Sequence, residues 1–371
     1  DEEFVRMWVA DMEFGVAPEI LDALRARIDR RIFGYTGLYD DEYYHTFSNW
    51  CKDHYDWHFP KEQLCISPGI IPALYQLTEM LCTAGEKVLL NTPAYGYFLH
   101  AAEYAGVDVL TSPLHKKADG TFAVDFEDFE RKCADPACKL VFWCNPHNPT
   151  GRMWTEEELH RVAAIIEKYN LWVVSDEIHC DLLRCGMTFH PILKVAPDYA
   201  DRIAVCTAPS KTFNLAGMKT SNIVIHNKEL QAAWKELIGG KLSMNGAGTL
   251  GLTAMIAAYN EGEEWLEQLK EYLDGNFAYI DAFLKEHLPK AHMVPSEGTY
   301  LAWIDFNGYV DGDAEKLEEI MQKKARVALD EGYIFGDAGR GFERINIATP
   351  RSVVEDCMDR ILKAFKEEKL V

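Results

Sequence analysis

No two of the ten cysteines, which run from Cys51 to Cys357, are spaced as a CxxC pair. Several fall inside apolar, strand-like runs, and the composition is not that of a small disulfide scaffold. Reduced thiols in a cytosolic core are therefore expected, and zinc is disfavoured; no metal site is assigned. Positive charge is scarce as well: 38 Lys and Arg against 59 Asp and Glu leave a formal net charge of -21. Such a field repels phosphate backbones and anionic lipid, and no local basic patch offsets it, so neither nucleic acid nor a membrane surface is an expected partner. No apolar run approaches the roughly 18 residues of a membrane span, and no basic-then-apolar leader opens the chain. A cytoplasmic protein is the expectation. The chain enters at once on FVRMWVADM, already structured in character, which implies a segment ahead of residue 1. GxGxxG and GxxxxGK[ST] are both missing, so dinucleotide and P-loop readings lose their main support. Internal repeats and low-complexity linkers are missing too.

What is present is a chain of 371 residues, 48% hydrophobic and 12% aromatic, enough for a substantial core;. Short apolar runs, LCIS (64–67), KVLL (87–90), VDVL (107–110), KLVFWC (139–144), LWVVS (171–175), IAVC (203–206) and SNIVI (221–225), alternate with helical patterns. The helical stretches are IIPALYQLTEML (70–81), YGYFLHAAEYA (95–105) and TEEELHRVAAIIEKY (155–169), the last opening on a capping box of Thr155 and Glu158;. Strands that are apolar throughout, joined by such crossovers, predict an α/β fold with a mainly parallel sheet covered by helices on both faces. After about residue 245 the pattern changes to two or three helices, a strand at 298–307, a helix over 313–329, a second strand at 342–348 and a closing helix, which predicts a smaller α+β lobe. The expected division is a large domain over 38–250 and a small one made of 1–37 and 251–371. The first 40 residues could pack against either.

In open α/β sheets, ligands sit beyond the carboxyl ends of the strands, and here those ends are all polar or turn-forming. SPGII (67–71) leads straight into a helix, and its free N–H groups at Gly69 to Ile71 suit a phosphate, or form a simple turn;. Asp176 is open to three roles: helix cap, magnesium ligand, or counter-ion to a protonated ring nitrogen. His179 either orients that acid or is a polar residue at a helix start. Asn148 lies in NPHNPTG, whose two Asn-Pro steps impose a rigid course and make it a directional donor or a purely structural loop residue;. Tyr95, after a proline turn, either stacks on a flat ligand or packs internally. Arg344 is a charge within the strand FERINIA, suited to gripping a carboxylate or to a surface ion pair;. Lys211 follows IAVC in TAPSKTFN. One lysine, one ring-nitrogen acid, one phosphate nest, one stacking aromatic and one carboxylate clamp together describe a site for pyridoxal phosphate and an amino acid.

The motifs VADMEF (9–14), FGYTG (33–37), NPHNPTGR (145–152), SDEIHCDL (175–182), APSKTFNLAG (208–217) and EGYIFGDAG (331–339) carry a family resemblance. The chain resembles the fold-type I, aspartate aminotransferase-like pyridoxal phosphate enzymes, and within them the MalY/PatB group of class II aminotransferase-like C–S lyases. The resemblance implies that Lys211 is the Schiff-base lysine, Asp176 the partner of the pyridine nitrogen, Asn148 the donor to the ring hydroxyl and a neighbour of the substrate, and Tyr95 the stacking ring. Gly69, Ile70, Ser210 and Lys219 match the phosphate cup, with His179 beside the cofactor. Tyr35 is similar to the tyrosine that reaches the neighbouring subunit's phosphate, which implies a homodimer with shared active sites. Arg344 matches the arginine that binds the substrate α-carboxylate, with the Ala10 backbone beside it.

Two positions depart from ordinary transaminases. Lys219 stands where SKxxxxxGxR has arginine, which supplies charge without a bidentate fork. His179 replaces the usual tyrosine, a change typical of the lyases. The resemblance implies β-elimination from a sulfur-containing L-amino acid, cystathionine or another S-substituted cysteine, or cysteine itself, giving thiol or sulfide, pyruvate and ammonia. Lys211 would take the α-proton. An amino acid aminotransferase is the alternative enzyme, and a regulatory protein retaining the fold is the alternative of another class.

Overall fold

The computed structural model describes residues 3–37, 41–244 and 247–371. Residue 38, where the large domain is expected to begin, lies outside the described residues. The seven apolar runs all form strands of one sheet: β1 (Leu64–Ser67), β2 (Lys87–Thr92), β3 (Asp108–Pro113), β4 (Cys138–Cys144), β5 (Trp172–Asp176), β6 (Ile203–Thr207) and β7 (Ser221–Ile225), in the order β1-β7-β6-β5-β4-β2-β3. All neighbours run parallel except β7, which is antiparallel to both β1 and β6. The expected α/β architecture is the one observed.

Period-two alternation in strands buried on both sides builds two cores. Leu140, Phe142 and Cys144 of β4 face one cluster, while Val141 and Trp143 face the other. On the first side lie α1 (Ile70–Leu81) and α2 (Gly96–Ala105). Ile70, Ala73, Leu74, Leu77 and Thr78 make one buried stripe along α1, the i, i+3, i+4, i+7, i+8 pattern of a helix packed on a sheet;. Each of the two fully buried leucines contributes about 1.5–3 kcal/mol of apolar burial;. On the other side α3 (Glu156–Lys168) packs Leu159, Val162 and Ile166, and its capping box is formed at both ends, Glu158 N–H to Thr155 Oγ1 at 3.2 Å and Thr155 N–H to Glu158 Oε2 at 2.9 Å.

The C-terminal part carries a four-stranded antiparallel sheet of β8 (His292–Met293), β9 (Leu301–Asp305), β10 (Asp330–Glu331) and β11 (Phe342–Asn346), ordered β8-β9-β11-β10 and backed by α4 (Glu263–His287) and α5 (Arg351–Glu367). The helix expected over 313–329 is shorter. It runs over Ala314–Glu319, widens into a π-type turn over Ile320–Ala325, and stops where Arg326 takes φ 56°. Val327–Ala328 then pairs in parallel with Val5–Arg6, so tertiary pairing overrides the helical propensity of ARVAL;. The first 37 residues touch both parts: that short strand joins the C-terminal one, helix Pro18–Asp29 contributes Ile20 and Leu24 to the core shared with Ala254 and Met255 of helix Thr249–Glu261, and Met12 and Phe14 bond the side chain of Asn214 in the large one. Among the described residues no helix is long and apolar enough to cross a membrane.

The NPHNPTGR loop is fastened to the C-terminal part at Gly151, whose carbonyl accepts from Glu297 N–H at 2.9 Å and Gly298 N–H at 3.0 Å. Gly151 has φ 69°, and a Cβ there would lie 2.6 Å from Ser296 Oγ. Gly151→Ala is expected to cost about 1–3 kcal/mol, read as a lower midpoint in equilibrium denaturation.

Candidate active site

The carboxyl ends of the parallel strands and the amino end of the reversed β7 meet around a cavity of about 210 Å³. Reversal of β7 is what brings Lys219, Thr220 and Ser221 to the same rim as Gly69, which follows β1. Of the side chains singled out in the sequence, Tyr95, Asn148, Asp176, His179, Ser210, Lys211 and Lys219 line this cavity, together with Gly69, Ile70 and Ala10. Tyr35 does not: it stands fully exposed.

Lys211 sits in the one-turn helix Pro209–Thr212 that follows β6, and its Nζ donates to the Ala10 carbonyl. Loss of water, with like charge from Arg344, pushes this amine down to about 8, against the opposing pull of Asp11 and Asp176;. Asp176 closes β5. Burial pushes its carboxyl up to about 6, while the Ile178 N–H at 3.2 Å and the Lys211 charge act in the other direction. His179 is buried, and desolvation together with Lys211 and Arg344 holds its imidazole well below the usual range, hence neutral. Its Nδ1 has no hydrogen-bond partner among the described residues. Tyr95 is the residue before α2; burial raises its phenol, which stays protonated, and its ring packs 5.2 Å from Tyr97 and edge-on to Phe98 at 6.0 Å.

At the opposite rim α1 begins after Gly69, which has φ 147°. No side chain caps this helix and its first turn holds no acidic residue, so its positive end is left for an anion;.

Arg344, on β11, is buried with its guanidinium divided among three acceptors. Nη1 donates to Asn148 Oδ1 at 2.9 Å, and Nη2 donates to the Trp8 carbonyl at 3.1 Å and to the Asp330 carboxylate. The Phe335 ring lies 4.9 Å from its Cζ. Nε is buried and has no hydrogen-bond partner among the described residues. Arg344 thus makes an ion pair, buried instead of superficial; it does not line the cavity itself and reaches it through Asn148.

Sequence reasoning missed Asp330, because it stands just past the segment read as helix and meets Arg344 only through the register Asp330↔Arg344. It also missed Tyr300, whose hydroxyl donates to the Ala10 carbonyl at 2.9 Å, and Asn346, whose Nδ2 donates to the carbonyls of Val9 and Asp11, each at 2.6 Å. The only signal for these was VADM itself, a polar-poor segment whose backbone needs outside donors.

A half-buried amine, a buried acid, a neutral imidazole and a free helix N-terminus around one cavity, with a guanidinium behind Asn148, define an amine-chemistry site on a doubly covered α/β sheet. A family model for aminotransferase class I and II matches residues 3–361. Cystathionine β-lyase PatB of Bacillus subtilis is 38% identical over 97% of this chain and 92% of its own length. The PLP-bound C–S lyase of Staphylococcus hominis superposes with a TM-score of 0.92 at 39% identity, covering 98% of this chain and 91% of that one. Cystalysin of Treponema denticola, whose structure contains pyridoxal 5'-phosphate, superposes with a TM-score of 0.94 at 35% identity over 99% and 92% of the two chains. The chain belongs to the aminotransferase class I and II family and, within it, to the pyridoxal phosphate-dependent C–S lyase group of cystathionine β-lyases.

The amine of Lys211 is expected to titrate near 8 in the cofactor-free protein, against an ordinary lysine at 10.5. Its acylation rate, followed by peptide mass spectrometry across pH, checks this. Asp176→Asn should lower the midpoint further, since the carboxylate that favours the ammonium is removed;.

Proposed function

We propose that this cavity binds pyridoxal 5'-phosphate and that the protein cleaves the carbon–sulfur bond of L-cystathionine, related S-substituted cysteines or cysteine itself, releasing thiol or sulfide with pyruvate and ammonia. The observation that carries this is the convergence of Lys211, Asp176 and Arg344, by way of Asn148, on one cavity. A binding module has no physical use for all three. The relatives named above as C–S lyases support elimination over amino transfer.

The residues fit such a cofactor. The positive end of α1, with Ser210, Thr220 and Lys219 beside it, suits the phosphate; the unpartnered Nδ1 of His179 and the NH₂ of Asn148, whose Oδ1 is already taken by Arg344, leave donors or acceptors for a polar ring. Lys211 would hold the cofactor through Nζ, and Asp176 would face its ring nitrogen. Bound there, the cofactor supplies a sink for the electron pair left on the substrate Cα.

Each side chain then has one task. Of its five N–H donors the Arg344 guanidinium keeps two, that of Nε and the second of Nη1, for the substrate carboxylate, with its plane set by Asp330 and Phe335;. Lys211, once displaced by the incoming amine, is neutral for a useful fraction of molecules because its amine titrates near 8, and its Nζ takes the Cα proton;. The Cβ–S bond breaks with its electrons leaving on sulfur, and the proton held by Lys211 returns to that thiolate. One water per turnover is consumed in releasing pyruvate and ammonia. Tyr35 would act from a second copy; its full exposure, beside the exposed Ile32 and Phe33, supports a homodimer with shared sites.

Purified protein given L-cystathionine or L-cysteine, with pyridoxal 5'-phosphate and no 2-oxo acid, is expected to form pyruvate, with sulfide from cysteine. A strict requirement for a 2-oxo acid would make it an aminotransferase instead. Lys211→Ala should abolish turnover, and full retention would sink the proposed chemistry. Arg344→Lys should raise KM roughly tenfold or more, as the planar fork is lost while charge is kept, with a smaller change in kcat.

A further inference from the structure

A one-turn helix does not hold its own geometry. Pro209–Thr212 runs out through Phe213 N–H to the Pro209 carbonyl at 2.9 Å and Leu215 N–H to the Ser210 carbonyl at 3.0 Å, and a single turn has too few bonds to fix a lysine against a cavity;. Beside the bonds of Lys211 and Asn214 to the amino-terminal segment, the segment is tied from outside by Thr212, fully buried, whose Oγ1 donates to Asp181 Oδ2 at 2.6 Å. The other oxygen of that carboxylate accepts from Trp50 Nε1 at 2.9 Å and from the Tyr55 hydroxyl. Burial holds the Tyr55 phenol well above its usual range, so it remains a donor. Trp50 also meets Phe213, the next residue of the lysine segment, edge-on at 5.7 Å.

We propose that Asp181 is a positioning residue that sets the place of Lys211 through Thr212. Its carboxylate is buried and bound by three neutral donors from two elements, helix Glu42–Tyr55 and the lysine turn. An unmade bond to a buried carboxylate is costly, so all three hold at once and select one orientation. Asp181 itself is anchored to the acid-bearing segment, where Cys180 N–H meets the Glu177 carbonyl at 3.1 Å and Leu182 N–H meets that of His179 at 3.0 Å. The spacing between the base, Lys211, and the acid, Asp176, is therefore set by one carboxylate that touches neither. This inference rests on the role proposed above for Lys211.

The experiment uses the pyridoxal 5'-phosphate-loaded wild type, Thr212→Val, Thr212→Ser and Asp181→Asn. Valine keeps the shape and removes the hydroxyl; serine keeps the hydroxyl. Borohydride reduction and peptide mass mapping report where the cofactor is attached, absorption across pH reports the ionisation of that linkage, and steady-state kinetics on L-cystathionine report kcat and KM. Attachment at Lys211 is expected in all four. Thr212→Val should lower kcat by about 10- to 100-fold, with KM within about twofold, and move the spectral midpoint by about half a pH unit or more. Thr212→Ser should restore both. A Thr212→Val protein equal to wild type in kcat and spectral midpoint overturns the inference while leaving Lys211's role intact; wild-type attachment elsewhere than Lys211 overturns both. Should Thr212→Val fail to fold, Asp181→Asn, which retains one acceptor oxygen, carries the same expectations.

Discussion

The carbonyl of Ala10 receives the Lys211 ammonium and the Tyr300 hydroxyl together, and through that one acceptor the amino-terminal segment, the large sheet and the C-terminal sheet meet. Residues 8–14 form no regular structure, so their backbone groups need partners from elsewhere;. The partners are side chains of the site's own framework: Arg344 for Trp8, Asn346 for Val9 and Asp11, and Asn214, which gives and takes with Met12 and donates to Phe14 at 3.1 Å. With the bond from Glu13 N–H to the Ala348 carbonyl at 2.9 Å and the burial of Met12, these contacts order the segment against the site, and the segment orders the site in return.

Burial is the larger electrostatic effect throughout this region, and pairwise attraction is the smaller. Asp176 lies near a lysine yet moves up, and Lys211 lies near two acids yet moves down. Glu177, bound by Ser175 Oγ at 3.0 Å and Ile192 N–H at 3.1 Å, is still pushed up to about 8. Acids and bases are all driven toward neutrality, the condition in which proton transfer between them costs least. The protein's large negative charge has little part in this, because the groups that matter are those that have lost their solvent.

Much of this was legible in the sequence, and for a definite reason. Strands buried on both faces read as continuous apolar runs, so their ends are conspicuous, and in a parallel sheet the ends hold the site. Asp176 stands directly after such a run, and Asn148 and Lys211 in the short turns that follow two others. Illegible were groups placed by pairing. Asp330 faces Arg344 only through antiparallel register, and Val327–Ala328 leaves its helical pattern only because Val5–Arg6 offers a parallel edge. The β7 reversal was equally invisible, since SNIVI reads the same in either direction. Asp181 was quoted within SDEIHCDL, but nothing in that spacing reveals Trp50, Tyr55 and Thr212 around it.

The reversal of β7 also bears on Lys219, the position that sets this chain apart from transaminases with arginine there. Lys219 is exposed and takes φ 51° at the end of a short turn, immediately before the rim residues Thr220 and Ser221. A flexible ammonium in that place adds charge but cannot fix orientation. Orientation of an anion must then come from groups that cannot move, and the uncapped first turn of α1 is such a group, with its dipole held by the buried stripe from Ile70 to Thr78;. The burial of Leu74 and Leu77, remote from any chemistry, is thus what aims the phosphate end of the proposed site.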